Sequence, residues 1–149
     1  MLEERKREFR AVARQRRIAT GHRAERSEVI VRCLEELEVV VAAERVLAYA
    51  PMGSEVDVTS FAAWCRGVGK QVCVPEDDVD PSWADVIIVP GLAFTPDGRR
   101  CGQGAGWYDR FLPGRRAGCV TIGVGFRTQL VDDVPTEPHD VVLDLVITD

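Results

Sequence analysis

The sequence predicts an α/β fold: a three-layer sandwich on a mostly parallel sheet of about five strands, Rossmann-like in plan. Three observations carry this expectation. Short apolar runs rich in branched residues alternate with helical patterns through residues 44–149. Those runs are continuous rather than alternating, as suits strands buried on both faces. Most end at Pro or Gly. The 149 residues, 46% hydrophobic and 29% charged, suit one domain with a modest core. We divide the chain into N-terminal helices over 1–43 and an α/β core over 44–149.

Residues 3–19 hold no Gly or Pro and are dominated by Arg, Glu and Ala, which predicts a helix. Its apolar stripe is thin, with Phe9, Val12 and Ile18 and with Leu2 just ahead, so it is expected to lie across the surface. Thr20 and Gly21 end it. A second helix is predicted over 23–43, with Val29, Ile30, Cys33, Leu34 and Leu37 at helical spacings. Residues 45–50 read as a buried strand stopped by Pro51, and 52–55 as a turn. Asp57 is placed to cap a helix running to about Arg66, which Gly67 and Gly69 close. Residues 70–74 form the next strand, ended by Pro75, so strand, helix and strand make a parallel βαβ unit.

Residues 76–84 are a short acidic connection, and 85–89 the most continuous branched strand. A loop is expected from Pro90 to Arg100, then a Gly-rich stretch, then a short helix over 107–112 stopped by Pro113 and Gly114. A strand over 119–124, a helical turn over 126–131 and a strand over 141–147 complete the reading. There is no internal repeat.

Composition narrows the function. The longest apolar run, 86–94, is too short to span a bilayer and is broken by Pro90 and Gly91. The charged N-terminal stretch does not read as a secretory signal, so a cytoplasmic protein without membrane partners is expected. Five cysteines, none in C-x-x-C spacing, read as reduced and partly buried thiols. Cys101 stands apart because it lies in the Gly-rich stretch. The net charge is −5, yet the first third is rich in Arg. Glu3, Glu4, Glu8, Glu25 and Glu28 interrupt those cations, and no aromatic residue is interleaved to stack bases. Nucleic acid is therefore not an expected partner. What remains is a solvated helix face, or local phosphate binding by one or two of the cations. His22 and His139 have no partner pattern for nucleophilic or zinc chemistry.

The chemistry is concentrated between Arg99 and Asp109. Gly102, Gly104 and Gly106 alternate, so the backbone can approach a ligand closely and successive amides can converge on an anion. The stretch opens a helix, whose N-terminus also favours phosphate. Arg99 and Arg100 add forked cations at its entrance. The spacing matches neither the dinucleotide fingerprint nor a Walker loop. A flexible turn is the competing reading, although one Gly usually suffices for a turn. Asp109 suits either the helix dipole or a magnesium ion beside phosphate, and Asp140 is a second candidate carboxylate.

These residues resemble a known signature. Residues 89–94, then Asp97 and Gly98, then 100–112 closely resemble the central motif of the 5-formyltetrahydrofolate cyclo-ligase family. Lys6 to Arg10, Met52 to Asp57, and 129–148 resemble its flanking segments in the same order. The resemblance implies ATP and magnesium as co-substrate and cofactor, and a reduced folate, 5-formyltetrahydrofolate, as the substrate closed to 5,10-methenyltetrahydrofolate. It implies phosphoryl transfer to the formyl oxygen, then attack by N10. By the same resemblance Lys6, Arg10, Arg100, Gly102, Gln103, Gly104, Ala105, Gly106, Trp107 and Tyr108 would hold ATP. Arg100 and Tyr108 would be the catalytic pair, Met52 and Glu55 would face the folate, and Asp109 and Asp140 would serve the metal. Cys101 stands where the family usually has Leu, and Trp107 where it has the first of two Tyr residues. Between Pro75 and Asp85 the family usually carries a few dozen more residues that shape the folate pocket. That departure leaves two alternatives: an ATP-using relative acting on another small molecule, or a non-catalytic nucleotide- or folate-binding module.

Overall fold

The branched apolar runs become the centre of the structure. The computed structural model describes residues 1–149. Its helices are α1 (Leu2–Ala19), α2 (Arg23–Glu36), α3 (Glu38–Ala42), α4 (Thr59–Gly67) and α5 (Trp107–Phe111). Its strands are β1 (Arg45–Leu47), β2 (Gln71–Cys73), β3 (Val86–Val89), β4 (Ala93–Phe94), β5 (Arg100–Cys101), β6 (Val120–Val124) and β7 (Leu145–Ile147). Five strands form one wholly parallel sheet in the order β2-β1-β3-β6-β7. Strand β3 is central and buried throughout, as expected of its unbroken branched run. The βαβ unit read from the sequence is β1-α4-β2, with Arg45 opposite Gln71.

Alternation across the pleat splits the core in two. Val46, Val86, Ile88, Ile122 and Val124 face α2, α3 and α4, where Ile30, Leu34, Val40, Phe61 and Cys65 meet them. Leu47, Ile87 and Val89 face the other way, onto Phe94, Phe111, Leu112 and Leu143. Helices on one side and α5 with its flanking loops on the other make the three layers. No helix is long and apolar enough to cross a membrane.

Helix α1 buries only Ala13 and Arg17, in keeping with its thin stripe. Arg17 is 4% exposed. Its Nε donates to Ser54 Oγ at 2.9 Å and its Nη1 to the Gly91 carbonyl at 3.1 Å. One side chain thus ties α1 to the segments leaving β1 and β3. Burial pulls its pKa down, but a guanidinium keeps its charge under such conditions.

The structure departs from the sequence reading in several places. The helix expected over 23–43 is two helices, because Leu37 is extended (ψ 130) and turns the chain so that Val40 enters the core. The following run of valines loses rotamer freedom in a helix, which favours the break. Asp57 is not the helix cap expected: Val58 holds that place without a side-chain cap bond, α4 starts at Thr59, and the Asp57 carboxylate accepts from Thr59 N at 3.0 Å two residues on. The expected loop from Pro90 to Arg100 contains an antiparallel hairpin pairing Ala93 with Cys101 and Phe94 with Arg100. Two-residue strands leave no periodicity to read. The strand expected over 141–147 is confined to β7. Leu143 N donates instead to the Gly98 carbonyl at 2.8 Å, and the Asp144 carboxylate accepts from Thr121 N at 2.8 Å.

The hairpin aims Arg100 and the Gly-rich stretch, and two close contacts fix it. The Phe94 ring fills the space over Gly91, Gly123 and Gly125, where a Cβ would lie 2.8, 2.7 and 3.0 Å from it. At the hairpin tip Gly98 sits at φ +97, and a Cβ there would come within 2.1 Å of the Leu143 carbonyl oxygen. Gly98→Ala is therefore expected to destabilise the protein by at least about 3 kcal/mol in chemical denaturation, since backbone rather than a side chain must move. A variant within about 1 kcal/mol of wild type would contradict this packing.

Candidate functional site

A cavity of about 630 Å³ opens where the segments after β1 and β3 meet α1 and the Gly-rich loop. Such a place, outside the carboxyl ends of parallel strands, is where open α/β sheets bind ligands. Lys6, Arg10, Met52, Glu55, Arg100, residues 102–108, Asp109 and Asp140 all line it, whereas Arg99, also expected at the loop entrance, does not: it turns away to pair with Asp97 and Asp133.

The loop over 102–106 has no regular structure, and its amides donate to no protein acceptor. Five successive free donors facing a polar cavity form a receptive surface for an anion. The helix that follows is only five residues long, so its dipole contributes less than the sequence reading assumed. The alternate glycines have a further cause. A Cβ on Gly102 would lie 2.9 Å from Arg100 Nη2, on Gly104 3.5 Å from Arg10 Cζ, and on Gly106 3.0 Å from Arg110 Nη1. At 102 and 106 the absent side chain leaves room for a guanidinium, whereas at 104 a Cβ would only touch one. Gly104 (φ +108) and Gly106 (φ +72) also need the left-handed region, whereas Gly102 does not, so at 102 the neighbouring arginine is the reason for glycine.

Arg100 is held firmly. Its Nε donates to the Pro90 carbonyl at 2.7 Å, and its guanidinium lies 5.1 Å from the centre of the Tyr108 ring. Burial draws its pKa down, and nearby Asp109 opposes this. Neither Arg100, Arg10 nor Arg110 makes an ion pair with a carboxylate of the chain. Burial raises the Tyr108 pKa, so its phenol stays protonated near neutral pH. Cys101 is buried and its pKa is raised by that burial, which makes it an inert thiol rather than a nucleophile. All five cysteines are unpaired, as the sequence predicts.

On the opposite wall Lys6 Nζ donates to Glu137 Oε1 at 3.0 Å. Burial pulls the Lys6 pKa down, but the Glu137 bond and the charges of Asp140, Glu137 and Glu3 outweigh it, so the net shift is upward. His139 Nε2 lies 3.1 Å from Glu137 Oε2 and 3.8 Å from Asp140 Oδ1. Asp140 Oδ2 accepts from Glu137 N at 2.7 Å, which leaves Oδ1 for other work. Glu137, His139 and Arg110 were not assigned from the sequence. The signal was present, since Glu137 and His139 flank Pro138 beside Asp140 and Arg110 follows Asp109, but nothing in a local pattern shows what they face.

Glu55 joins the two sides of the cavity. Its Oε1 accepts from Met52 N at 2.9 Å and its Oε2 from Gln103 Nε2 at 3.0 Å. Beyond it lies a second hollow of about 440 Å³, which shares Met52, Glu55, Trp107 and Tyr108 and is closed by Tyr49, Pro75 and Glu76. The short acidic connection therefore supplies a wall. Trp107 is braced by stacking on Phe111, with centroids 4.4 Å apart. No group of three or more metal-ligating side chains occurs. Five carboxylates line the cavity, Glu3, Glu55, Asp109, Glu137 and Asp140; one or two of them, such as Asp109 and Asp140, fit magnesium shared with phosphate oxygens rather than a metal held by protein alone.

The Lys6 contact yields a direct test. Glu137→Gln removes the bonded carboxylate, so the Lys6 ammonium pKa, followed by NMR of its side chain, is expected to fall. An unmoved Lys6 titration would contradict the pairing.

Comparison with known proteins points to one family. A family model described as the 5-formyltetrahydrofolate cyclo-ligase family matches residues 76–149. A 5-formyltetrahydrofolate cyclo-ligase of Mycolicibacterium smegmatis is 48% identical over 65 residues, 44% of this chain and 34% of that protein. The matched stretch thus spans about a third of that relative. A 5,10-methenyltetrahydrofolate synthetase structure from Mycoplasma pneumoniae superposes with a TM-score of 0.83 at 24% identity, covering 97% of this chain and 98% of that one. One from Aquifex aeolicus gives 0.83 at 25% identity over 96% and 89%. Motif, family match and fold converge, and the chain belongs to the 5-formyltetrahydrofolate cyclo-ligase family.

Proposed function

We propose that this protein uses ATP and magnesium to cyclise 5-formyltetrahydrofolate to 5,10-methenyltetrahydrofolate. The observation that carries the reading is the run of free amides at 102–106 with three unpaired arginines around it, which suits a polyphosphate. The family relationship supplies the reduced folate. The second hollow, with Trp107 and Tyr108 on one side and Glu55 and Glu76 at its edge, has the aromatic walls and acceptors that suit a flat, donor-rich ring.

In this reading the formyl oxygen of the folate attacks the γ-phosphorus, the bond to the β,γ-bridging oxygen breaks, and ADP leaves. N10 then attacks the activated formyl carbon and loses its proton, and inorganic phosphate departs with the former formyl oxygen. The chain's part is positioning and charge neutralisation. The amides of 102–106, with Lys6 and Arg10, bind the phosphates. Arg100, half-buried and braced on Tyr108, offers its guanidinium to the oxygens that gain charge. Glu55, tethered to Met52 N and Gln103, orients the folate beside the nucleotide. Magnesium, held by Asp109 and Asp140, would supply further neutralisation of the phosphate charge.

A second reading is favoured by the compact connection over 75–85: the same phosphoryl chemistry directed to another small molecule. Purified protein with ATP, magnesium and 5-formyltetrahydrofolate is expected to generate the absorbance of methenyltetrahydrofolate. ATP binding without that turnover would favour the second reading, and binding of neither ligand would refute both. Asp109→Ala is expected to lower kcat/KM for magnesium ATP by about 10- to 100-fold while retaining the fold. Unchanged ATP kinetics in the folded variant would remove Asp109 from the metal site.

A further inference from the structure

The three guanidinium groups around the loop are not equivalent. Arg10 reaches Gly104 from α1, and Arg100 reaches Gly102 from the hairpin. Arg110 comes from α5, one residue after Asp109, and turns back on the loop that precedes its own helix. Its Nη1 donates to the Ala105 carbonyl at 2.7 Å and stands 3.0 Å from the place of a Cβ on Gly106. It makes no ion pair, so its charge stays available at the cavity wall.

We propose that Arg110 is a positioning residue for polyphosphate binding: by clamping the Ala105 carbonyl it fixes the direction of the Gly106 amide. The physical step is short. The peptide between residues 105 and 106 is planar and trans, so its carbonyl and its N–H point opposite ways. Holding the carbonyl with a charged donor sets the N–H on the other side, where it has no protein acceptor. At Gly106 this control matters, because glycine in the left-handed region is the residue least able to set its own conformation. The same charged bond to the carbonyl polarises the peptide, which strengthens the N–H on its other side as a donor. Gly106 is then glycine for two reasons at once: its φ, and the room Arg110 needs to reach Ala105.

This assignment rests on the polyphosphate reading above, and the experiment separates the two. Binding of magnesium ATP and of 5-formyltetrahydrofolate is measured by calorimetry for wild type, Arg110→Ala and Arg110→Lys, with thermal midpoints for each. Arg110→Ala is expected to weaken magnesium ATP binding about tenfold, with folate affinity and thermal midpoint unmoved. Arg110→Lys, which keeps the charge and a donor, is expected to stay within about threefold of wild type. Wild-type affinity for ATP in Arg110→Ala would overturn the assignment while leaving the polyphosphate reading intact. So would a lowered midpoint with parallel loss of both ligands, the mark of a structural prop. Failure of wild type itself to bind magnesium ATP would overturn the polyphosphate reading and this assignment together.

Discussion

Five backbone amides in a row, 102–106, have no partner within the protein, and much of the surrounding structure serves to keep them so. A donor that is neither paired nor solvated costs free energy, so such a run persists only at the wall of an open, polar cavity. Guanidinium groups of Arg100, Arg10 and Arg110 lie against the loop's three glycines. Its entry is held by the β4–β5 hairpin, itself locked by the Phe94 ring against three glycines and by the Gly98 tip against Leu143. Its exit is held by α5, whose Tyr108 and Phe111 are buried in the lower core.

Charge is arranged around this run with a clear division. Arginines lie against the loop and have no carboxylate partners, whereas Lys6, on the far wall, is paired with Glu137. A planar fork that keeps its charge when desolvated suits the half-buried place of Arg100. Arg17, buried beneath the same region, joins α1 to the loops after β1 and β3. It therefore holds the helix carrying Lys6 and Arg10 over the cavity. Glu55 and Gln103 connect this arginine-rich side to the aromatic hollow beyond.

The central fold was legible because parallel strands buried on both faces must be continuous apolar runs, as in 86–89 and 120–124. The Gly-rich stretch was legible as an open backbone loop, because three alternate glycines exceed what a turn requires. Other features were beyond a local reading. The β4–β5 hairpin is too short to show a period. The break at Leu37 depends on Val40 finding the core. Why Gly102 is glycine depends on where the Arg100 side chain goes, and the partnership of Lys6 with Glu137 spans nearly the whole sequence. The resemblance implied a reduced folate pocket where the connection over 75–85 is short, a point that depends on what those residues face. In three dimensions Pro75 and Glu76 form part of the wall of the second hollow.

The account stands on convergence of the 102–106 amides toward a polyphosphate, and the most direct measurement is a ¹⁵N-resolved NMR titration with magnesium and a non-hydrolysable ATP analogue. The five amide signals are expected to move together and saturably, with Arg100 and Arg110 side-chain signals following the same curve. If the analogue leaves these resonances in place, or binds while shifting only signals remote from the loop, the account is wrong.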